Sequence, residues 1–177
     1  MTWKNLHSTI KYQNRYMRVT EDEFITAHGD HVTYGIVRKE PFSVVIPWDG
    51  TKLLLVGQYR PSAEIFSWEF PMGHAEADEP YVAAKRELAE ETGLIAIDLV
   101  EIATFYPAIG TMDQKCYLYI TTQWEKCSQS LDVAEKGMQQ KWVTISNFEA
   151  LIADGTIIDG PTITAYYYFQ QFLRRPS

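Results

Sequence analysis

The chain has 177 residues, 46% of them hydrophobic and 14% aromatic, and a formal charge of −7. That length supports one domain, or one domain with a small appendage, burying roughly 70% of its unfolded surface, and the apolar content excludes a disordered chain. With no basic run, the acidic balance argues against a general nucleic-acid surface, so no nucleic-acid partner is expected.

Cys116 and Cys127 are too few for a disulfide framework and lack CxxC spacing, so a reduced cytoplasm is the expected compartment. No apolar stretch approaches the ~18 residues that a membrane span needs, and Met-Thr-Trp-Lys-Asn does not read as a signal peptide. No membrane partner is expected.

Residues 8 to 46 open with short alternating runs at Thr9 to Tyr12, Tyr16 to Thr20, Glu23 to Ala27 and Val32 to Arg38. Turn signals at Asn14 and at His28-Gly29-Asp30 separate them, which predicts an antiparallel meander. Phe42 to Pro47 and Lys52 to Tyr59 read as buried strands around a Trp48-Asp49-Gly50 turn. Ser67-Trp68-Glu69-Phe70 is strand-like and runs into the turn Phe70-Pro71-Met72-Gly73-His74.

The most informative segment follows, Ala-Ala-Lys-Arg-Glu-Leu-Ala-Glu-Glu-Thr-Gly at residues 83 to 93. Pro80 suits a first helical position with Glu79 or Asp78 before it as cap, and Gly93 suits a left-handed end. Tyr81, Ala84 and Leu88 form the expected core stripe. Glu87, Glu90 and Glu91 fall within an arc of roughly 100° on the other side. Like charges at this spacing cost a helix a few tenths of a kcal/mol per pair unless a cation lies among them. Hard divalent ions are held by such oxygens together with water and substrate phosphates, so the turn reads as a metal platform. A solvated helix face screened by Lys85 and Arg86 is the alternative.

Further strands are expected at Ile97 to Tyr106, Lys115 to Gln123 and Gln140 to Thr144. Ser146 is placed as the cap of a helix running through Asp154 to Gly155. A last helix is expected from Pro161 to Arg174, with Thr162, Ala165, Tyr166 and Phe169 on one side. The cluster Tyr166-Tyr167-Tyr168-Phe169 reads as packing rather than as a base-stacking platform. Mixed strands with helices on both faces imply an α/β class and an α/β/α sandwich.

Gly73 to Ile95 resembles the Nudix box, Gly-x5-Glu-x7-Arg-Glu-aliphatic-x-Glu-Glu-x-Gly-aliphatic. Arg86-Glu87-Leu88, Glu90-Glu91 and Gly93-Leu94 match its second half without exception. Gly73 and Arg86 stand one residue closer than the pattern requires, so Asp78 or Glu79 fills the slot of the first acid, Asp78 being preferred. Leu53 to Arg60 with Trp68-Glu69-Phe70-Pro71 is similar to the branch that cleaves ADP-ribose and other nucleoside diphosphate sugars. Phe105-Tyr106-Pro107 with Gly110, and Trp142-Val143 leading to Gly155-Thr156-Ile157-Ile158-Asp159, extend the likeness over most of the chain.

This resemblance implies a Nudix α/β/α sandwich at residues 41–177, with a small N-terminal antiparallel meander at 1–40 that serves dimerisation; a homodimer is expected. It implies hydrolysis of the pyrophosphate bond of a nucleotide sugar, with Mg²⁺ or Mn²⁺ held by Glu87, Glu90, Glu91 and a backbone carbonyl near Gly73. Arg86 would orient Glu87 and Glu90. Glu135, with Asp132 in reserve, would deprotonate the attacking water. Arg60 and Gln58 would contact substrate, and Trp3, Tyr12 or Tyr16 would stack on the base.

Two departures mark the chain. Gly57 stands where relatives often carry arginine, and Gln114 where many ADP-ribose-cleaving relatives carry glutamate. A Nudix hydrolase for a triphosphate, a dinucleotide or an RNA 5′ end is the second reading, and a non-catalytic nucleotide-sugar sensor the third.

Overall fold

The computed structural model describes residues 2–75 and 79–175. Asp78, preferred for the first acid position, lies outside the described residues. The chain divides into two compact units, Met1–Pro41 with Tyr106–Lys115, and Phe42–Phe105 with Cys116–Ser177.

The first unit is an antiparallel meander of β1 (Lys4–Gln13), β2 (Arg18–Ile25) and β3 (His31–Arg38). The four expected runs are thus three strands, because Tyr16 to Thr20 and Glu23 to Ala27 merge across the polar pair Glu21-Asp22. Asp22 stays in the strand although fully buried: its Oδ2 accepts from Arg38 Nη2 at 2.5 Å and Asn5 Nδ2 at 3.2 Å. The 106–115 segment joins this unit by a parallel bridge from Met112 to Val37.

The second unit is a sandwich whose strands bury both faces. β4 (Phe42–Pro47) lies parallel to β10 (Cys116–Thr121), with β7 (Met72–His74) and β9 (Val100–Phe105) antiparallel at the edges. β5 (Lys52–Arg60) lies between β6 (Ile65–Glu69) and β12 (Gln139–Thr144), both antiparallel to it. β8 (Leu94–Ala96) and β11 (Trp124–Lys126) form a small antiparallel pair.

Alternation along the strands assigns each face. Val44, Ile46, Leu53 and Leu55 pack with Phe148, Ala165 and Phe169 of α2 (Ile145–Ala153) and α3 (Gly160–Leu173). Val45 and Leu54 turn the other way, toward Ala84 and Leu88 of α1 (Pro80–Thr92). The period of two in a strand thus builds helix, sheet and helix layers from continuous apolar runs.

Local chemistry corrects several boundaries. The strand expected from Ile97 begins only at Val100, as β9, because Asp98 bonds outward: its Oδ1 accepts from Gln123 N at 2.8 Å and its Oδ2 from Thr122 Oγ1 at 2.8 Å. The cap of α2 is Thr144, whose Oγ1 accepts from Asn147 N at 3.2 Å; Ser146 lies inside the first turn. α3 is capped by Asp159, whose carboxylate accepts from Thr162 N at 2.8 Å. Tyr166 and Phe169 are buried, in keeping with a packing role.

Candidate active site

The acid helix starts at Pro80 as expected, but Glu79 at its cap makes no side-chain bond to the turn. Its buried face is Ala83, Ala84 and Leu88; Tyr81 is exposed and receives the Lys85 ammonium over its ring. Gly93 ends the helix at φ 71°, in the left-handed region expected of it, with its N–H on the Ala89 carbonyl.

The three acids are not equivalent. Glu91 is 1% exposed, and its Oε2 accepts from Met72 N at 3.1 Å. Glu87 is half-buried and lies flush against the glycine loop. A Cβ built on Gly73 would stand 1.9 Å from the Glu87 carboxyl carbon, so only glycine lets the backbone approach this closely. Glu90 is the most open of the three.

Arg86 gathers this group. Its Nη1 lies 2.9 Å from Glu87 Oε1 and 3.2 Å from Glu90 Oε2, and its Nη2 donates to the His74 carbonyl at 3.2 Å. One guanidinium therefore orients two acids and holds the glycine loop to the helix. His74 contributes that backbone oxygen.

Burial raises the carboxyl of Glu87 to about 7, with Glu90 and Glu135 adding to the rise and Arg86 opposing it. Burial likewise raises Glu91 well above the carboxylate range, with Glu135 and Glu87 as the next causes. Glu135 lies on a single 3₁₀ turn, Val133–Glu135, and accepts from Asp132 N at 3.0 Å through Oε2. Of the two loop acids, Glu135 is thus the one whose charge is felt at Glu87 and Glu91, while Asp132 supplies the turn.

These residues fit a hard divalent cation. The donors are carboxylate and backbone oxygens, their charges are costly to leave uncompensated, and the close approach at Gly73 brings main chain against Glu87. Among the described residues, no three acid, imidazole or thiol groups already stand close enough together to hold a metal. Arg86 bridges Glu87 and Glu90.

Arg60 ends β5 facing Glu69, a side chain that is 1% exposed. Arg60 Nε donates to Glu69 Oε1 at 2.9 Å and to Oε2 at 3.1 Å, and Nη2 makes a further close bond to Oε2. The guanidinium is therefore engaged by protein, and it lines one side of a cleft of about 400 Å³ with Ser67, Glu69, Asp159 and Gly160. The bond to Glu69, and beyond it the charges of Asp159 and Glu91, raise the Arg60 guanidinium above its ordinary range. The sequence reading quoted Glu69 and Asp159 within motifs without assigning either; an acid at a buried strand position was the available signal for Glu69. Gln58 is half-buried on the same strand. At Gly57 a Cβ would meet the rings of Phe66 at 2.8 Å and Trp68 at 2.9 Å, so any larger residue there requires these rings to shift.

Trp3, Tyr12 and Gln114 belong to the first unit. Trp3 meets Phe24 and Tyr34 edge-on, with ring centroids 6.1 and 5.9 Å away, and these rings line a cavity of about 470 Å³ with Tyr106, Ile109 and Met112. Tyr12 is exposed and accepts from Asn14 Nδ2 at 3.1 Å. Gln114 is buried and donates to the Glu40 carbonyl at 2.8 Å, so it serves this unit's own packing.

The structure thus sets a glycine loop and an acid-rich helix against a mixed sandwich. The model of the NUDIX domain matches residues 37–166, and the chain belongs to that family and is a Nudix pyrophosphohydrolase. It is 28% identical over 130 residues to the ADP-ribose pyrophosphatase of Bacillus subtilis (strain 168), covering 72% of this chain and 70% of that protein. It is 22% identical over 166 residues to the CMP-5'-(N-acetyl-N-hydroxy-3-aminopropyl)phosphonate hydrolase of Streptomyces rubellomurinus (strain ATCC 31215), covering 92% and 80%. The crystal structure of an ADP compounds hydrolase superposes with a TM-score of 0.85 at 20% identity, covering 98% of this chain and 95% of that one. That likeness carries the fold.

Proposed function

We propose that the protein hydrolyses the pyrophosphate bond of a nucleoside diphosphate sugar, ADP-ribose first among them, giving a nucleoside monophosphate and a sugar phosphate. The observation that carries this reading is the buried acid group itself: Glu87 against Gly73, with the charges of Glu90, Glu91 and Glu135 around it. The printed activity of the B. subtilis relative supports the choice of substrate.

Glu87, Glu90, Glu91 and the main-chain oxygen near Gly73 would hold Mg²⁺, or Mn²⁺ in its place. When bound, such an ion neutralises phosphoryl oxygens and lowers the pKa of water. Arg86 keeps Glu87 and Glu90 aimed together by donating to both. Glu135 accepts the proton of the attacking water on its carboxylate, held by the bond from Asp132 N. Arg60, fixed by Glu69, presents its remaining donor edge to the cleft beside Asp159 for a substrate phosphate or terminal sugar.

A homodimer suits the first unit, because all of β1 is exposed, with Leu6, Ile10 and Tyr12 on its surface. We assign the N-terminal meander that role and Trp3 and Tyr12 the base. Among the described residues no helix is long and apolar enough to cross a membrane, and both cysteines are free thiols, which suits a reducing cytoplasm.

A second reading, a Nudix hydrolase acting on a different nucleotide, is favoured by Gln114. Its amide is spent on the Glu40 carbonyl, so this position offers no carboxylate. Product release from a panel of nucleotide sugars, triphosphates and dinucleotides with Mg²⁺ decides between them. A clear preference for one nucleotide sugar is expected; a preference for triphosphates or a flat panel overturns the first reading.

A further inference from the structure

The last carbonyls of any α-helix lack partners within the helix. In α1 those carbonyls belong to the acid-bearing turn, and a distant segment satisfies them. Ser130 N donates to the Glu90 carbonyl at 3.1 Å, and Cys127 N to the Gly93 carbonyl at 2.8 Å. The Glu91 carbonyl receives two side chains, Gln129 Nε2 in a short bond and Gln140 Nε2 at 3.1 Å. Gly93 allows the close packing: a Cβ there would stand 2.8 Å from the Cys127 carbonyl oxygen.

Gln129 and Gln140 flank the loop that carries Glu135. The loop leaves the helix at Ser130 and returns at Gln140, which β12 pairs with Val56. Both ends are therefore tied to one main-chain oxygen, that of Glu91. Inside the loop Glu135 is pre-aimed by the bonds Asp132 N to Glu135 Oε2 at 3.0 Å and Glu135 N to the Asp132 carbonyl at 3.0 Å. A helix cap made of local turns would satisfy the same carbonyls without reaching to residues 129 and 140.

We propose that Gln129 and Gln140 are positioning residues that staple both ends of the 131–138 loop to the Glu91 carbonyl, and so hold the Glu135 carboxylate against the acid helix. The inference rests on the reading of Glu135 as the base. Both glutamines are exposed, so their packing contributes little to the fold. Their donors act on the placement of one carboxylate, and misplacement of a reacting group by about 1 Å costs up to about 100-fold in rate.

The test is steady-state hydrolysis of ADP-ribose with Mg²⁺ by Gln129→Met, Gln140→Met and the double variant, beside Gln129→Lys and Gln140→Lys, which restore a donor of similar reach. The expected result is a kcat loss of about 10-fold singly and about 100-fold together, KM within about twofold, and Lys variants within about threefold of wild type. Added to Glu135→Gln, the double Met change is expected to cost nothing further, because the group it positions is gone. Faster amide exchange at Ser130 in the Met variants, with an unchanged unfolding midpoint, separates loop release from lost stability. Full additivity with Glu135→Gln, or unimpaired Met variants beside an impaired Glu135→Gln, overturns the positioning role alone. An unimpaired Glu135→Gln overturns the base assignment itself and leaves the staple nothing to position.

Discussion

Replacing Glu87 by Gln in metal-free protein removes a charge from a place that resists it. Burial, Glu90 and Glu135 together bring this carboxyl from an ordinary 4.5 to about 7, with the opposing pull of Arg86 already included. At about 1.4 kcal/mol per pKa unit, ionising Glu87 costs the fold about 3 kcal/mol. The folded value lies above the unfolded one, so the contribution is fully favourable below pH 4.5 and is lost as pH rises through 7. Between pH 5 and 8 wild type should lose about 2.5 kcal/mol relative to Glu87→Gln, since Gln does not titrate. Urea unfolding in EDTA at the two pH values measures this as a difference of differences, which cancels the pH-independent cost of losing the Arg86 bond. Saturating Mg²⁺ should restore most of the wild-type loss at pH 8 and little in the variant. A gap between the two proteins that is the same at both pH values refutes the burial of a charged Glu87.

Gly73→Ala places a methyl group where the Glu87 carboxyl already stands, so kcat should fall by about 100-fold or more, with about 1–3 kcal/mol lost in unfolding experiments. Turnover within threefold of wild type would show that the loop and Glu87 are not in contact. Arg60→Ala should cost about 2–3 kcal/mol of stability because Glu69 is left buried without its partner, and Arg60→Lys less than that. A raised KM with unchanged stability would instead make Arg60 a substrate contact with no part in the fold.

The acid helix was legible because its signals are local: a proline at the first position, acids at helical spacing and a glycine at the end. The layers of the sandwich were legible for a similar reason, since Phe42 to Pro47 and Lys52 to Tyr59 are apolar on both faces and demand cover on both. The boundaries that moved are those where one polar side chain outweighs the pattern. Asp98 breaks a run of strand formers with four bonds, and Asp22 keeps a strand going through a polar stretch by pairing with Arg38 and Asn5.

Within the site, the role of Arg86 was implied by the resemblance, and its partners are local, one and four residues away. The partner of Arg60 comes from the neighbouring strand, nine residues on, and depends on the register that sets Arg60 opposite Ile65. Gln129 and Gln140 were out of reach for the same reason. A carbonyl that needs a donor is invisible in a sequence, and the two donors come from 38 and 49 residues further along.

Product analysis of ADP-ribose incubated with Mg²⁺, comparing wild type with Glu90→Gln, tests the proposed chemistry most directly. Wild type should release AMP and ribose 5-phosphate in equal amounts and only when Mg²⁺ is present. Glu90→Gln should unfold at the same urea concentration and turn over at least about a thousandfold more slowly, the scale of a lost transition-state contact of about 4 kcal/mol. Equal turnover by the two proteins, or release of the same products in excess EDTA, would contradict a metal-dependent centre on this helix.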